Sequence, residues 1–184
     1  MAHPWHDIPL PADGALDVFP VVIEVPSGSK TKYELDKRTG LLRVDRVLFS
    51  AVHYPANYGF VPRTYAQDDD PIDVLVLGQD PVVPLAIVQA RAIGGFMMRD
   101  EHGVDVKIIA VHVHDPTVSD YHDVAELPKH IVTEIMRFFE DYKVLEGKTV
   151  EVGARMSRDD VLQKLRESAA RYRAEVGRLK AEFA

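Results

Sequence analysis

The 184-residue chain is 46% apolar and 28% charged, the composition of a globular protein with a core of its own. A formal charge of −7 argues against nonspecific nucleic-acid binding, and the absence of cysteine excludes disulfides and thiolate chemistry. No apolar run approaches the ~18 residues of a membrane span, and no basic-then-apolar leader opens the chain, so a cytoplasmic protein without membrane contact is expected. Neither a repeat nor a linker divides the sequence. One domain over 1–184 is expected, with an N-terminal arm over 1–16 and a C-terminal helix over 157–183.

The arm holds His3-Pro4-Trp5-His6, whose two histidines are of a metal-ligating type. Large aromatics are usually buried, so Trp5 is expected to pin the arm to the body instead. Val18 to Val25 reads as a strand and Pro26-Ser27-Gly28-Ser29 as a turn. Glu24 sits in this apolar run, where an unpaired carboxylate is costly; it either serves a cation or turns to water at the strand end. Strands over Lys32–Asp36 and Leu41–Leu48 flank a Thr39-Gly40 turn, with Lys32 and Glu34 on one face and Tyr33 and Leu35 on the other. Tyr54-Pro55-Ala56-Asn57-Tyr58-Gly59-Phe60 reads as a loop whose tyrosines either cover the core edge or donate to an anionic ligand.

Asp68-Asp69-Asp70-Pro71-Ile72-Asp73 comes next and runs into an apolar strand from Ile72 to Leu77. Pro71 disfavours helix at Asp70, which holds the carboxylates instead of letting them splay. Clustered carboxylate oxygens beside a buried strand suit hard divalent ions. Strands follow over 85–93 and 96–99. Gly103 then suits a tight hairpin that would set Asp100 nearly opposite Asp105, a second candidate cation site, with Lys107 on the same face as Asp105. His112-Val113-His114 has the spacing of a zinc pair but no third ligand at fitting distance in sequence, and reads as a polar strand face. A helix over 128–142 presents Ile131, Ile135, Phe138, Phe139 and Tyr142 as one apolar stripe and delivers Tyr142-Lys143 at its end. Ser157 with Asp160 resembles a capping box. The last helix shows a seam of Val161, Leu165, Ala169, Tyr172, Val176, Leu179 and Phe183 that packs on the body or on a partner chain.

Many acids and a few bases thus sit on strand faces and element ends of one β-rich body. Carboxylates bind divalent ions, and the ions with Arg and Lys bind a phosphate-rich anion, which is most of what phosphoryl transfer requires. A calcium-binding module fits less well, because the acidic loop lacks the EF-hand glycine and leads into a strand. A non-enzymatic OB-type binding domain would leave the acids unexplained.

Together these residues resemble the soluble family I inorganic pyrophosphatases. The matches are Ile23-Glu24-Val25-Pro26 with Lys32-Tyr33-Glu34, Val44-Asp45-Arg46-Val47-Leu48, and Tyr54 through Phe60. They continue with Asp68-x-Asp70-Pro71-x-Asp73-Val74-Leu75-Val76, Asp100-x4-Asp105-x-Lys107 and Phe138-Phe139-x-x-Tyr142-Lys143-x-Leu145-Glu146, over about residues 18–150. The resemblance implies a mainly β (α+β) fold, a closed five-stranded OB-like β-barrel with flanking helices. It implies a magnesium-dependent enzyme of phosphate metabolism that hydrolyses pyrophosphate with a metal-activated water. Manganese or zinc would substitute, calcium would inhibit, and the enzyme would form a homo-oligomer, a hexamer in bacterial relatives. Asp68, Asp73 and Asp105 would bind the first Mg2+, Asp73 sharing a second. Asp100 and Asp105 would hold the ion that arrives with substrate, and Glu24 and Glu34 would support the outer shell. Asp70, or in some members Asp105, would be the base. Lys32, Arg46, Tyr58, Tyr142 and Lys143 would grip the phosphates, with Tyr54 and Lys107 behind them. Three departures stand out: Asp69 where the family usually has Gly, Arg91-Ala92-Ile93-Gly94 where it has Arg-Pro-(Ile/Val)-Gly, and Pro84-Leu85 where it often has Pro-Gly.

Overall fold

A computed structural model describes residues 2–12, 15–101 and 103–182. Its strands are β1 (Phe19–Val25), β2 (Thr31–Leu35), β3 (Leu42–Val47), β4 (Asn57–Phe60), β5 (Asp73–Leu77), β6 (Ile87–Asp100), β7 (Gly103–His112) and β8 (Glu151–Met156). Two helices, α1 (Lys129–Asp141) and α2 (Arg158–Glu182), follow β7 and β8 respectively.

The sheet runs β1-β4-β5-β7-β6, and β1 pairs with β6 as well, so five strands close into a barrel. Only β5 and β7 run parallel within it. Closure depends on the length of β6. Its first residues pair with β1, Phe19 opposite Ala90 through Val22 opposite Ile87, and its later residues pair with both β7 and β8. The two strands expected over 85–99 are therefore one, bent where the register shifts between Ala92 and Gly94. A Cβ at Gly95 would lie 2.5 Å from the Lys107 carbonyl and 2.8 Å from Val161, so this glycine lets α2 lie close on β6.

β5 and β7 send alternate residues to two cores. Leu75 and Ile109 join Ile135, Phe138 and Phe139 of α1, whereas Val74, Val76, Ile108 and Ala110 join Val161, Leu162 and Leu165 of α2. Each of those three α2 side chains contributes roughly 1.5–3 kcal/mol on burial, which docks the helix on its own barrel. Its start is fixed as expected, with Ser157 and Asp160 exchanging hydrogen bonds. Phe183, the last residue of the expected seam, lies outside the described residues, as does His102 of the β6–β7 loop. In α1 the stripe includes Val132, while Ile131 is only half-buried.

The N-terminal arm forms a third core. Trp5 is fully buried against Tyr65, Tyr172 and Leu179, and its indole N–H donates to the Thr64 carbonyl at 2.8 Å. The arm is thus pinned by Trp5, as the sequence suggested.

Candidate active site

The acidic loop ends where β5 begins. Ile72 is buried and anchors the loop's end, and Asp73 opens the strand on the face shared with Leu75. Parallel pairing sets Asp73 beside Lys107 of β7, and Asp105 lies two residues earlier on the same face. The Lys107 ammonium is buried between the two carboxylates, 2.5 Å from Asp105, in an ion pair with Asp73 and 3.0 Å from the Tyr58 hydroxyl. Burial disfavours its charge, but Asp105 and Asp73 together outweigh that and raise its affinity for the proton, so it remains charged.

Asp69 turns away from its neighbours. Its backbone is left-handed at φ 66°, and its carboxylate accepts from the Tyr65 hydroxyl at 2.5 Å, with Arg171 of α2 3.6 Å away. Asp68 and Asp70 line the cleft together, so the acidic triplet divides into two inward groups and one outward group.

The β6–β7 register corrects one expectation. Asp100 faces Gly103 and Asp105 faces Met98, so the two acids are diagonal neighbours on the cleft side rather than opposite each other. Lys143, just past α1, pairs with Asp100 at 2.7 Å, and Lys148 with Glu101 at 2.8 Å. For Glu24 one of the two alternatives falls away. It does not turn to water but is buried, and it accepts from the Leu35 amide at 2.7 Å, tying the β2–β3 hairpin to the barrel.

That hairpin supplies the basic wall. Lys32 faces Arg46 across it, and Lys32 pairs with Glu34 and, at 3.3 Å, with Asp45. Arg46 is held by Asp45 at 2.5 Å and by Glu146 at 2.8 Å, yet its buried Nη2 has no partner. A charged donor left unsatisfied in a cleft is suited to an anion.

Thirteen of the candidate residues line one cleft of about 340 Å3: Lys32, Glu34, Arg46, Tyr54, Tyr58, Asp68, Asp70, Asp73, Asp100, Asp105, Lys107, Tyr142 and Lys143. Glu24 lines an adjoining cleft of about 400 Å3 that shares Lys32, Glu34, Tyr58, Asp70 and Asp73. Sequence reasoning missed Asp45, Met98, Phe139 and Lys148 on the cleft wall, and Lys37 and Glu146 as ion-pair partners. Asp45 and Glu146 carried a signal, since each stands in a matched motif, although the pairing of Glu146 with Arg46, like that of Lys37 with Asp70, depends on distant packing.

The acids repel one another. Burial, then the charges of Asp105, Asp73 and Asp70, push Asp68 up to about 7. Burial with Asp73 opposing the pull of Lys107 pushes Asp105 up to about 6, and burial with Asp73 pushes Glu24 up to about 8. Burial likewise raises Tyr54, Tyr58 and Tyr142, which stay neutral hydrogen-bond donors.

Among the described residues no three acids or histidines converge closely enough to chelate an ion as they stand, since Lys107 and Lys143 hold several of the carboxylates. The donor set nonetheless fits hard divalent cations: it is all carboxylate oxygen, mostly half-buried, and at a self-repulsion that a cation relieves. His112 ends β7 and His114 lies in the following turn with its ring 6.0 Å away, and neither joins the cleft.

The chain matches the family model described as inorganic pyrophosphatase over residues 21–173, a span that reaches into α2. It is 52% identical over 171 residues to soluble inorganic pyrophosphatase 1 of Arabidopsis thaliana, covering 93% of this chain and 80% of the relative. It is 58% identical over 153 residues to the soluble inorganic pyrophosphatase of Zea mays, covering 83% and 71%. In three dimensions it resembles the crystal structure of inorganic pyrophosphatase from Thermus thermophilus, with a TM-score of 0.88 at 40% identity over 94% of this chain and 99% of that one.

Proposed function

Because the chain belongs to the inorganic pyrophosphatase family and so hydrolyses pyrophosphate to two phosphates, we propose that the acidic cleft is where it does so, with magnesium as its metal. The observation that carries the assignment is the set of half-buried, mutually repelling acids facing Arg46 and Lys143 in one cleft.

The reaction requires a divalent metal, which when bound neutralises charge and acidifies a water molecule. Asp68, Asp73 and Asp105 would hold the first ion, Asp73 a second, and Asp100 with Asp105 the one arriving with substrate; Glu24 and Glu34 support them. Asp70, the most open acid of the loop's inner pair, accepts the proton of the attacking water and aims its oxygen in line with one phosphorus; Asp105 is the other candidate base. The bridging P–O bond breaks, and the leaving phosphate's charge is met by Lys32, Arg46 and Lys143. Tyr58 and Tyr142 donate from neutral phenols, with Tyr54 and Lys107 behind them. Arg46 is preset for this role, with two acids fixing its guanidinium while Nη2 stays free for a phosphate oxygen. We further propose that the protein works in the cytoplasm as a one-domain chain assembled into a homo-oligomer, a hexamer.

Phosphate release from pyrophosphate, measured with magnesium and with calcium, tests the site. Magnesium should support turnover, calcium should not, and Asp73→Asn should lose roughly 10²-fold or more. Full activity of Asp73→Asn would move the reaction out of this cleft.

A further inference from the structure

We propose that Lys37 is a positioning residue for Asp70, held in place by the N-terminal arm; this rests on the reading of Asp70 as the base. Lys37 follows β2 in the hairpin turn, outside every matched motif. Its ammonium nonetheless reaches the acidic loop, pairing with the Asp70 carboxylate and donating to the Asp69 carbonyl at 3.0 Å. It is the one ion-pair partner of Asp70 among the described residues.

An exposed Lys–Asp pair is usually worth little, because a flexible side chain must be ordered to form it. Here the ordering is already done by other elements. The arm grips the turn from outside: His3 Nε2 lies 2.9 Å from the Lys37 carbonyl, and Gly40, at φ 70°, brings the turn against Pro4 and His3. The Lys37 ammonium sits 5.7 Å from the centroid of the buried Trp5 ring. Trp5 is tied to the acidic segment as well, since its indole donates to Thr64 and Thr64 Oγ1 accepts from the Ile72 amide at 2.9 Å. One arm therefore fixes both the platform of Lys37 and the ends of the loop that carries Asp70.

Asp70 is the reason the grip matters. Its carboxylate is half-exposed, so packing alone does not fix its rotamer. A base must meet its water within hydrogen-bond reach, and a small misplacement costs much of its effect. Lys37 holds the Oδ1 of the carboxylate and the preceding carbonyl, while Asp70 itself lines the cleft.

The test compares Lys37→Met, Lys37→Arg, Asp70→Asn and Lys37→Met/Asp70→Asn by pyrophosphate hydrolysis in saturating magnesium, with melting temperatures alongside. Lys37→Met should lower kcat by about tenfold with KM within about twofold, and Lys37→Arg should return kcat to within about threefold of wild type, the scale of a partner acting through another residue. The double variant should be no slower than Asp70→Asn, since a positioning residue has nothing to hold once the base is gone. Wild-type kcat in Lys37→Met, a loss that multiplies fully onto Asp70→Asn, or a loss explained by a fall in melting temperature would each overturn the proposal while leaving Asp70 as the base. Full activity in Asp70→Asn is a different failure, because it removes the base itself and Lys37's role with it.

Discussion

Asp69 and Leu85 are two positions at which the family resemblance implied glycine, and both keep a left-handed backbone that a glycine would adopt freely, at φ 66° and 67°. For a residue with a Cβ that conformation costs roughly 1–2 kcal/mol. Asp69 offsets part of the cost, because aspartate tolerates this region and its carboxylate meets Tyr65 and Arg171. Leu85 has no such compensation: its side chain is 38% exposed, and only its amide is committed, to the Ile23 carbonyl at 2.7 Å. Leu85→Gly should therefore raise the melting temperature by about 2 °C or more, as relief of about 1 kcal/mol would in a chain of this size. Asp69→Gly should leave thermal stability near that of wild type and activity within about tenfold, because its carboxylate faces α2 and not the cleft. Asp70→Asn, one residue on, should lose on the order of 10²-fold or more in phosphate release. If Asp69→Gly proved as damaging as Asp70→Asn, the division of the triplet into inward and outward groups would be wrong.

At the scale of elements, what the sequence made legible follows from how local each signal is. β1, β5 and the β2–β3 hairpin announce themselves by apolar runs, alternation and turn residues, and α1 by its stripe. β4 did not, because all four of its residues are buried and nothing alternates; only β1 and β5 on either side make it a strand. β8 did not either, being mostly exposed and hydrogen-bonded to β6 alone. The site's acids were legible because each lies in or beside a strand that the sequence itself marks. Lys37 and Glu146 were not, since the first reaches a loop 32 residues away and the second an arginine 100 residues away. The arm's docking onto α2 is long-range too, and it has a pH signature. His6 is buried, with Nδ1 2.8 Å from the Tyr172 hydroxyl and Nε2 unpartnered. Burial, then the charges of His3 and Lys180, lowers its pKa to about 4. The unfolded chain takes up this proton near 6.5 and the folded one resists it, so the contribution is complete above about 6.5 and is lost as pH falls toward 4. Melting temperatures across that window should fall more steeply for wild type than for His6→Gln, which cannot titrate. Parallel curves would mean that the arm releases His6 to water.

For the whole molecule, the dominant electrostatic fact is a closed barrel that gathers half-buried acids on one side in a chain already at −7. Without divalent ions those acids keep protons that the unfolded chain would have released. Glu24, Asp68 and Asp105 stand at about 8, 7 and 6, against ordinary values of 4.5, 3.8 and 3.8, each raised first by burial. A carboxyl whose pKa is raised by folding contributes stability that is complete below its unfolded pKa and lost as pH climbs through the folded one. The metal-free protein should therefore melt at progressively lower temperature as pH rises from about 5 to 8, the reverse of the His6 effect and separable from it by the His6→Gln control. Bound magnesium replaces the protons and removes the repulsion, so its stabilisation grows as the acids ionise. The rise in melting temperature on adding magnesium should be small at pH 5 and large at pH 8, and should shrink at pH 8 in Asp73→Asn, whose charge contributes to all three shifts. A rise independent of pH would place the ion away from these acids, on carboxylates that are ionised throughout.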